Sequence, residues 1–198
     1  MYKAVIFDLD NTLVYTKEEY VQGILIDILG RQVSMEETIS FWQGNDSLIT
    51  DEYYFWKRFN ELDKYEKRIK FTKVYDDVYV LKELSEKGMK LGVVTNAPPG
   101  MAVLDAELIQ KEVDIEFDSV VSANKWFTNL EFKPSPQGIN QCLYELQVRE
   151  DEALYIGDSN VDRIAAEKAG VDFRMINRNE GSLSELLSDL LNYPPALE

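Results

Sequence analysis

Short runs of apolar and β-branched residues recur along the chain and end at polar residues. The first run, Lys3 to Phe7, is followed at once by Asp8, and similar runs occupy 90–95, 119–122, 153–157 and 171–176. A strand that is buried on both faces of a sheet shows this continuous pattern, whereas a half-exposed strand alternates. The runs therefore predict five buried strands.

Apolar positions at helical spacing lie between these runs. The stripes are Val78, Leu81 and Leu84 before Gly88; Met101, Leu104 and Leu108; Ile139, Cys142, Leu143 and Leu146 after Ser135-Pro136; Val161, Ile164 and Ala165 before Gly170; and Leu186, Leu187, Leu190 and Leu191 after a capping box at 182–185. For the third helix we predict Ser135 as N-cap and Pro136 at the first helical position. Strands and helices alternate from residue 74 onward, which predicts an α/β fold with a Rossmann-like parallel sheet and helices on both faces.

The stretch from Thr16 to Thr72 breaks this alternation. It carries a helical stripe before Gly30 and an aromatic-rich segment at 41–59, and no convincing strand. We therefore predict a small all-helical cap at 16–72, inserted after the first strand. The core domain would consist of 1–15 and 73–198.

The chain is strongly acidic. Its 198 residues include 21 Lys and Arg against 36 Asp and Glu, for a net charge of −15. Such a surface repels nucleic acid and anionic lipid, so we expect neither nucleic acid nor a membrane as partner. The single cysteine, Cys142, excludes an intrachain disulfide, and the first apolar run is too short for a signal peptide. These features predict a cytoplasmic protein.

The chain contains no histidine. This excludes imidazole metal ligands, Ser-His-Asp hydrolysis and phosphohistidine intermediates. Any acid–base chemistry must therefore use carboxylates, Lys, Tyr or water.

Polar residues stand directly at the ends of three predicted strands. Asp8, Thr95 and Asp158 each end or follow such a run. Ligands of open α/β sheets bind outside the carboxyl ends of the strands, so one pocket could hold all three. Taken singly, each has an ordinary structural explanation, and Asp158 could simply cap the following helix.

The residues around these strand ends resemble a known family. The motifs are Asp8-x-Asp10-x-Thr12, Thr95-Asn96, Lys133-Pro134-Ser135-Pro136 and Gly157-Asp158-Ser159-x-x-Asp162. In this order they resemble the four motifs of the haloacid dehalogenase-like superfamily, and the helical insertion resembles the cap of its phosphoglycolate phosphatase-like members.

The resemblance implies a role for each motif residue. Asp8 would attack phosphorus and form an aspartyl-phosphate, while Asp10 would act as general acid and base. Lys133 would supply positive charge in catalysis and substrate binding. Thr12, Thr95 and Asn96 would bind the substrate. Mg²⁺ would be held by an acidic set of Asp8, the Asp10 carbonyl and Asp158, with Asp162 orienting a metal-bound water or Lys133.

The resemblance also implies a substrate class and leaves alternatives open. Dehalogenases of the family lack an acid two residues after the nucleophile, so Asp10 favours phosphoryl transfer. The small cap and the acidic surface favour a small phosphorylated metabolite as the substrate of a phosphatase. A phosphomutase shares all four motifs, and a catalytically inactive member would only bind a ligand. We expect a monomer or homodimer, with a pocket lined from the cap side by Tyr15, Thr16, Trp42 and Gln43.

Overall fold

Strands and helices alternate along the core of the chain in a computed structural model that describes residues 2–42 and 46–192. The elements in chain order are β1 (Ala4–Phe7), β2 (Val14–Thr16), α1 (Glu18–Leu29), α2 (Met35–Trp42), α3 (Glu52–Leu62), α4 (Tyr65–Arg68), β3 (Thr72–Val74), α5 (Val80–Glu86), β4 (Lys90–Thr95), α6 (Pro99–Val113), β5 (Ser119–Ser122), α7 (Gln137–Leu146), β6 (Ala153–Gly157), α8 (Asn160–Ala169), β7 (Asp172–Met175), α9 (Leu183–Leu186) and α10 (Ser188–Leu191). The five predicted strands are present as β1, β4, β5, β6 and β7, but the predicted burial was wrong for β7, an edge strand whose four residues are half-buried or exposed.

The main sheet is parallel, with the strand order β5-β4-β1-β6-β7. β1 lies at its centre, where Phe7 is in register with Val93 of β4 and with Ile156 of β6. All four residues of β1 are fully buried. This burial on both faces explains the unbroken apolar run in the sequence. The parallel pairing of β1 with β4 and with β6 places the carboxyl ends of these three strands side by side.

Helices cover both faces of this sheet, as predicted. Along β1, Val5 and Phe7 pack into one apolar cluster with residues of α5 and α6, while Ala4 and Ile6 pack into a second with residues of α7 and α8. Burying one Leu or Ile side chain contributes roughly 2 kcal/mol, so the two layers account for much of the stability of the sheet.

Cys142 is a residue of this packed core. It is completely buried, and burial raises the pKa of its thiol to about 12. The thiol therefore stays protonated near neutral pH and packs as a small apolar side chain.

The chain divides into two compact units. One holds the described residues up to Val14 and from Val74 onward, and the other holds Tyr15–Lys73. The second unit is helical and has its own apolar cluster, in which Phe41, Phe55 and Phe59 pack together. β2 and β3, at the two ends of this insertion, pair with each other. The sequence did not predict these strands, since three residues are too few to produce a recognisable alternation.

Helix ends depart from the sequence prediction at α7 and at the last helix, which is divided at Leu187 into α9 and α10. The capping box at the start of α9 is present, with Ser182 accepting from the Glu185 amide. The prediction for α7 was wrong by one residue, because Pro136 lies at the cap position and Gln137 begins the helix. Ser135 is held instead in a turn through its amide and the Phe132 carbonyl. No helix in the described ranges has both the length and the apolar character needed to cross a membrane.

The close packing of α7 on the sheet gives a testable expectation. A methyl group on Gly138 would lie 2.8 Å from both the Ala123 Cβ and a Val94 methyl carbon, whereas one on Gly23 in α1 would meet nothing within 4 Å. We expect Gly138→Ala to lower the free energy of unfolding by about 1–3 kcal/mol, through overpacking. Gly23→Ala should leave it unchanged or raise it by about 0.5–1 kcal/mol, since alanine favours helix. Urea denaturation measures both, and equal effects would contradict the packing described.

Candidate active site

Three neighbouring strands bring their polar ends into one pocket. Asp8 follows β1 directly, and its amide donates to the Ile156 carbonyl of β6 at 2.8 Å. Thr95 ends β4 and Asp158 follows β6. Asp8 is only 7% exposed, so its carboxylate lies in a region largely closed to water.

The ammonium group of Lys133 lies at the centre of this pocket. Its Nζ is 2.5 Å from Asp8 Oδ1 and 2.6 Å from Asp162 Oδ1. It also lies 3.1 Å from both the Val94 carbonyl and the Tyr155 hydroxyl. An ammonium group has three N–H bonds, and four acceptors already surround this one. The hydrogen-bonding capacity of Lys133 is therefore filled within the protein, and its single positive charge orients two carboxylates without fully neutralising them.

The main chain of Lys133 is fixed by Asn96. The Lys133 amide donates to Asn96 Oδ1 at 2.8 Å, and Asn96 Nδ2 donates to the Lys133 carbonyl at 3.3 Å. Asn96 is in turn held by Asn124, whose Nδ2 donates to the Asn96 carbonyl at 2.9 Å. The loop that carries Lys133 is therefore attached to the end of β4.

Asp162 is held on the opposite side of Lys133 by the start of α8. Ser159 donates to Asp162 Oδ2 through its hydroxyl at 2.5 Å and through its amide at 3.2 Å. A Cβ on Gly157 would lie 2.5 Å from the Asp162 Cγ, so only glycine fits at the end of β6. Asp162 thus has one oxygen on Ser159 and the other on Lys133. It cannot move without breaking the helix cap.

Burial and close charges shift the pKa values in this pocket. Burial raises the pKa of Asp8 well above its ordinary value, Lys133 opposes that rise, and Asp162 and Asp158 add to it. Burial disfavours the charged form of Lys133, yet the carboxylates of Asp162 and Asp8 hold its pKa well above the ordinary value. Burial and the charge of Asp162 raise the pKa of Asp158 to about 6. The pocket as a whole is short of positive charge.

The same carboxylates could hold a divalent cation. Asp8, Asp158 and Asp162 each offer an oxygen, and these oxygens lie within 4.8 Å of one another. Hard oxygen donors suit Mg²⁺, and a cation would relieve the crowding that raises the pKa of Asp158. Because Asp162 already bonds Lys133 and Ser159, Asp8 and Asp158 are the better candidates for direct ligands.

Asp10 lies on a tight turn between Asp8 and β2. The amides of Thr12, Leu13 and Val14 all donate to the Leu9 carbonyl, at 2.8–3.1 Å. The charge of Asp10 is one of the smaller influences that raise the pKa of Asp158. The turn therefore places a second acidic residue two positions after Asp8.

Comparison with known proteins identifies the family. The sequence model of the haloacid dehalogenase-like hydrolases matches residues 5–176. The chain belongs to the haloacid dehalogenase-like hydrolases. This confirms the family expected from the motifs.

Sequence relatives support a phosphatase within this family. A protein of Caldanaerobacter subterraneus provisionally named pyrophosphatase PpaX is 31% identical over 182 residues, covering 85% of this chain and 78% of its own. The pyrophosphatase PpaX of Bacillus cereus is 26% identical over 181 residues, covering 84% and 79%. The expected class of enzyme, a phosphatase-type hydrolase, is thereby confirmed.

Solved structures agree with the fold. The phosphatase of this family from Thermococcus onnurineus is 28% identical, with a TM-score of 0.67 over 95% of this chain and 97% of its own. A haloacid dehalogenase-like hydrolase from Bacteroides fragilis, 22% identical, has a TM-score of 0.70 over 95% and 93% of the two chains.

Not every predicted site residue points into the pocket. Thr12 is completely buried, and its Oγ1 has no hydrogen-bond partner among the described residues. Thr95 Oγ1 accepts from the Ala97 amide at 3.0 Å, and the Asn96 side chain is engaged by Lys133. The side chains of Thr95 and Asn96 thus bind other groups of the protein, and that of Thr12 is buried. The predicted contacts of these three residues with substrate stay predictions.

The predicted cap-side lining is described only in part. Thr16 is buried, and its hydroxyl lies 3.0 Å from that of Thr72, which ties β2 to β3. Tyr15 is partly buried. Gln43 and the side chain of Trp42 lie outside the described residues.

One residue that the sequence reasoning missed is Tyr155. It lies inside the apolar run of β6, fully buried, with its hydroxyl 3.0 Å from the Val94 carbonyl and 3.3 Å from Asp162 Oδ1. A tyrosine in the middle of a buried strand needs a hydrogen-bond partner, and that requirement was the available signal. Its hydroxyl completes the set of acceptors around Lys133.

The raised pKa of Asp158 gives a pH-dependent expectation. The folded-state pKa of about 6 exceeds the ordinary value of 3.8, so the folded state holds this proton more tightly than the unfolded chain does. That stabilisation is fully present below the unfolded-state value and is lost as the pH rises through the folded-state value. Asp158→Asn removes this titration. In chelator-treated protein, we compare the free energy of unfolding of Asp158→Asn with that of the unsubstituted protein. The difference, variant minus unsubstituted protein, should therefore increase by about 1 kcal/mol between about pH 5 and pH 7.5.

Urea denaturation at both pH values measures this difference. Asp114→Asn is the matched control, because Asp114 is exposed and Lys82 lowers its pKa. The control should show no growth over this interval. A constant difference for Asp158→Asn would contradict the electrostatic description of the pocket.

Proposed function

We propose that this chain is a magnesium-dependent phosphatase that hydrolyses a small phosphorylated metabolite through a phosphorylated Asp8. The observation that carries this proposal is the contact between Asp8 and Lys133 at the carboxyl end of the central strand. The fixed ammonium group orients the Asp8 carboxylate and opposes the rise in its pKa that burial causes, and a bound cation would further favour the ionised form that a nucleophile needs.

The proposed reaction has two displacements at phosphorus. A carboxylate oxygen of Asp8 forms a bond to phosphorus, the ester bond breaks, and Asp10 donates its proton to the departing oxygen. Asp10, now ionised, then takes a proton from water, whose oxygen attacks the same phosphorus and frees Asp8 and inorganic phosphate. Asp162 keeps Lys133 beside Asp8 through both steps.

A divalent cation would supply the positive charge that this site lacks. Asp8, Asp158 and the Asp10 carbonyl would hold Mg²⁺, which supplies positive charge for the phosphoryl oxygens. The carboxylates of Asp8, Asp158 and Asp162 would otherwise repel a phosphate dianion, because Lys133 supplies only one positive charge.

The choice of substrate is proposed to lie with the second unit. The residues around Asp8 recognise a phosphoryl group and carry little information about the rest of a substrate. We propose that Tyr15–Lys73 is the cap that supplies this selectivity. Two sequence relatives are named as pyrophosphatases, so inorganic pyrophosphate belongs in any substrate panel. A monomer or homodimer in the cytoplasm remains our expectation.

The nucleophile and the acid can be tested by amide substitutions. Asp8→Asn should abolish phosphate release, because an amide does not attack phosphorus. Asp10→Asn should lower the rate by about 10²–10⁴, with the smallest loss for good leaving groups. The measurement is phosphate release from a panel of metabolites that includes pyrophosphate. Asp114→Asn, an exposed site where asparagine tolerates the observed φ of 60°, should retain full activity.

Two results would count against the assignment. Phosphate release by Asp8→Asn at the rate of the unsubstituted protein would remove Asp8 as nucleophile. Transfer of phosphate within a sugar phosphate, without net release, would replace hydrolysis by the mutase alternative.

The cation requirement can be tested with and without turnover. Exhaustive chelation should abolish phosphate release, and added Mg²⁺ should restore it. Mg²⁺ should also raise the thermal unfolding temperature of the unsubstituted protein, since it binds the folded state, and raise it much less in Asp158→Asn. Full turnover after chelation, or equal thermal shifts in both proteins, would contradict the proposed ligands.

A further inference from the structure

A nearly buried arginine outside the family motifs holds the turn that carries Asp10. Arg178 lies in the loop after β7, and its side chain is only 9% exposed. Its Nε donates to the Thr12 carbonyl at 3.0 Å, and its Nη2 donates to the same oxygen. These two contacts join positions that are 166 residues apart in the sequence. The predicted reaction assigned no role to Arg178.

The turn is stabilised by hydrogen bonds within its own main chain and by contacts from residues elsewhere in the core unit. Inside, three amides converge on the Leu9 carbonyl, and Asn11 adopts a left-handed φ of 56°. Outside, Arg178 binds the Thr12 carbonyl, and the Tyr75 amide donates to the Leu13 carbonyl at 3.1 Å. The main chain of Asp10 is therefore fixed between the end of β1 and these outer contacts.

Arg178 is itself held rigidly. Its Nη1 lies 2.8 Å from both carboxylate oxygens of Asp77, and its guanidinium stacks 4.1 Å from the centre of the Tyr75 ring. Asp77 also accepts from the Leu183 amide at 2.5 Å, which ties it to the start of α9. A charged pair with this little exposure is screened weakly by water, so it keeps one geometry.

We propose that Arg178 is a positioning residue for the general acid, and this inference rests on the proposed function of Asp10. Proton transfer requires the Asp10 carboxyl within hydrogen-bond reach of the leaving oxygen. A displacement of about 1 Å in a catalytic group can cost about 10² in rate. Arg178 makes no described contact with Asp8 or Lys133, so its loss should impair proton transfer by Asp10 while Asp8 and Lys133 keep their positions.

A purely structural role predicts a different result. Arg178 would then only attach the segment after β7 to the core, and its loss would lower stability without changing which substrates react. The dependence of the rate on the leaving group separates the two roles, because only a poorly placed acid makes a basic leaving group harder to expel.

The experiment compares phenyl phosphate with 4-nitrophenyl phosphate, two substrates that differ mainly in the basicity of the leaving group. The constant measured is kcat/KM, which reports the steps up to departure of the alcohol. For Arg178→Met we expect kcat/KM to fall about tenfold more for phenyl phosphate than for 4-nitrophenyl phosphate. Methionine keeps an apolar stem against Tyr75 and removes every hydrogen bond.

The matched control is Arg174→Met. Arg174 also contacts one carboxylate, Asp189, through both oxygens and donates to one main-chain carbonyl, that of Leu186. Both partners belong to the C-terminal helices and not to the Asp10 turn. This variant should leave the ratio of the two kcat/KM values unchanged.

Arg178→Lys serves as a rescue and as a second route if the methionine variant does not fold. Lysine restores the charge opposite Asp77 but cannot place two N–H groups on the Thr12 carbonyl. We expect stability near that of the unsubstituted protein in urea, with a leaving-group ratio still shifted at least about threefold. An unshifted ratio in both Arg178 variants, or in the lysine variant alone if methionine does not fold, would overturn the inference.

Asp10→Asn, assayed on the same two substrates, separates failure of the inference from failure of the proposed function. If Asp10→Asn shifts the ratio and the Arg178 variants do not, Arg178 is structural only. If Asp10→Asn itself leaves the ratio unchanged, the acid assignment fails, and the inference fails with it.

Discussion

The contact of one buried ammonium group with two buried carboxylates determines most of the site. Lys133 lies between Asp8 and Asp162, and all three side chains are at most 10% exposed. Removing one partner from such a group leaves an uncompensated buried charge, at a cost of about 3–5 kcal/mol. Neighbouring residues keep these charged partners together. Asn96 fixes the Lys133 main chain, and Ser159 fixes Asp162. The pocket is thus rigid before any substrate enters.

This rigidity has an electrostatic consequence for the whole chain. Lys133 supplies one positive charge beside the carboxylates of Asp8 and Asp162, and Asp158 adds a third carboxylate, in a protein whose net charge is −15. Charge of one sign in a weakly solvated pocket destabilises the folded state. Stability is therefore lower than the packing of the sheet alone would give, and a bound cation would offset the difference.

The sequence predicted the parts of the molecule that depend on local pattern. Continuous apolar runs predicted β1, β4 and β6, and the motif order predicted that Asp8, Lys133 and Asp158 meet. Distant contacts made by residues outside these motifs were not predictable. The hydroxyl of Tyr155 and the guanidinium of Arg178 find partners 61 and 166 residues away, and no spacing encodes such pairs. The Ser135 prediction failed for a different reason, since a serine-proline pair locates a helix start only to within one residue.

Arg178 also contacts the two chain segments that join the core to the second unit. The turn that carries Asp10 leads straight into β2, where the second unit begins, and Tyr75 and Asp77 follow β3, where it ends. Arg178 contacts Thr12 on the outgoing segment and both of these residues on the returning one. Both connections are therefore anchored on the core side of the junction. An insertion attached in this way can change in length and sequence while Asp10, Asp8 and Lys133 keep their places, because the contacts of Arg178 lie within the core unit.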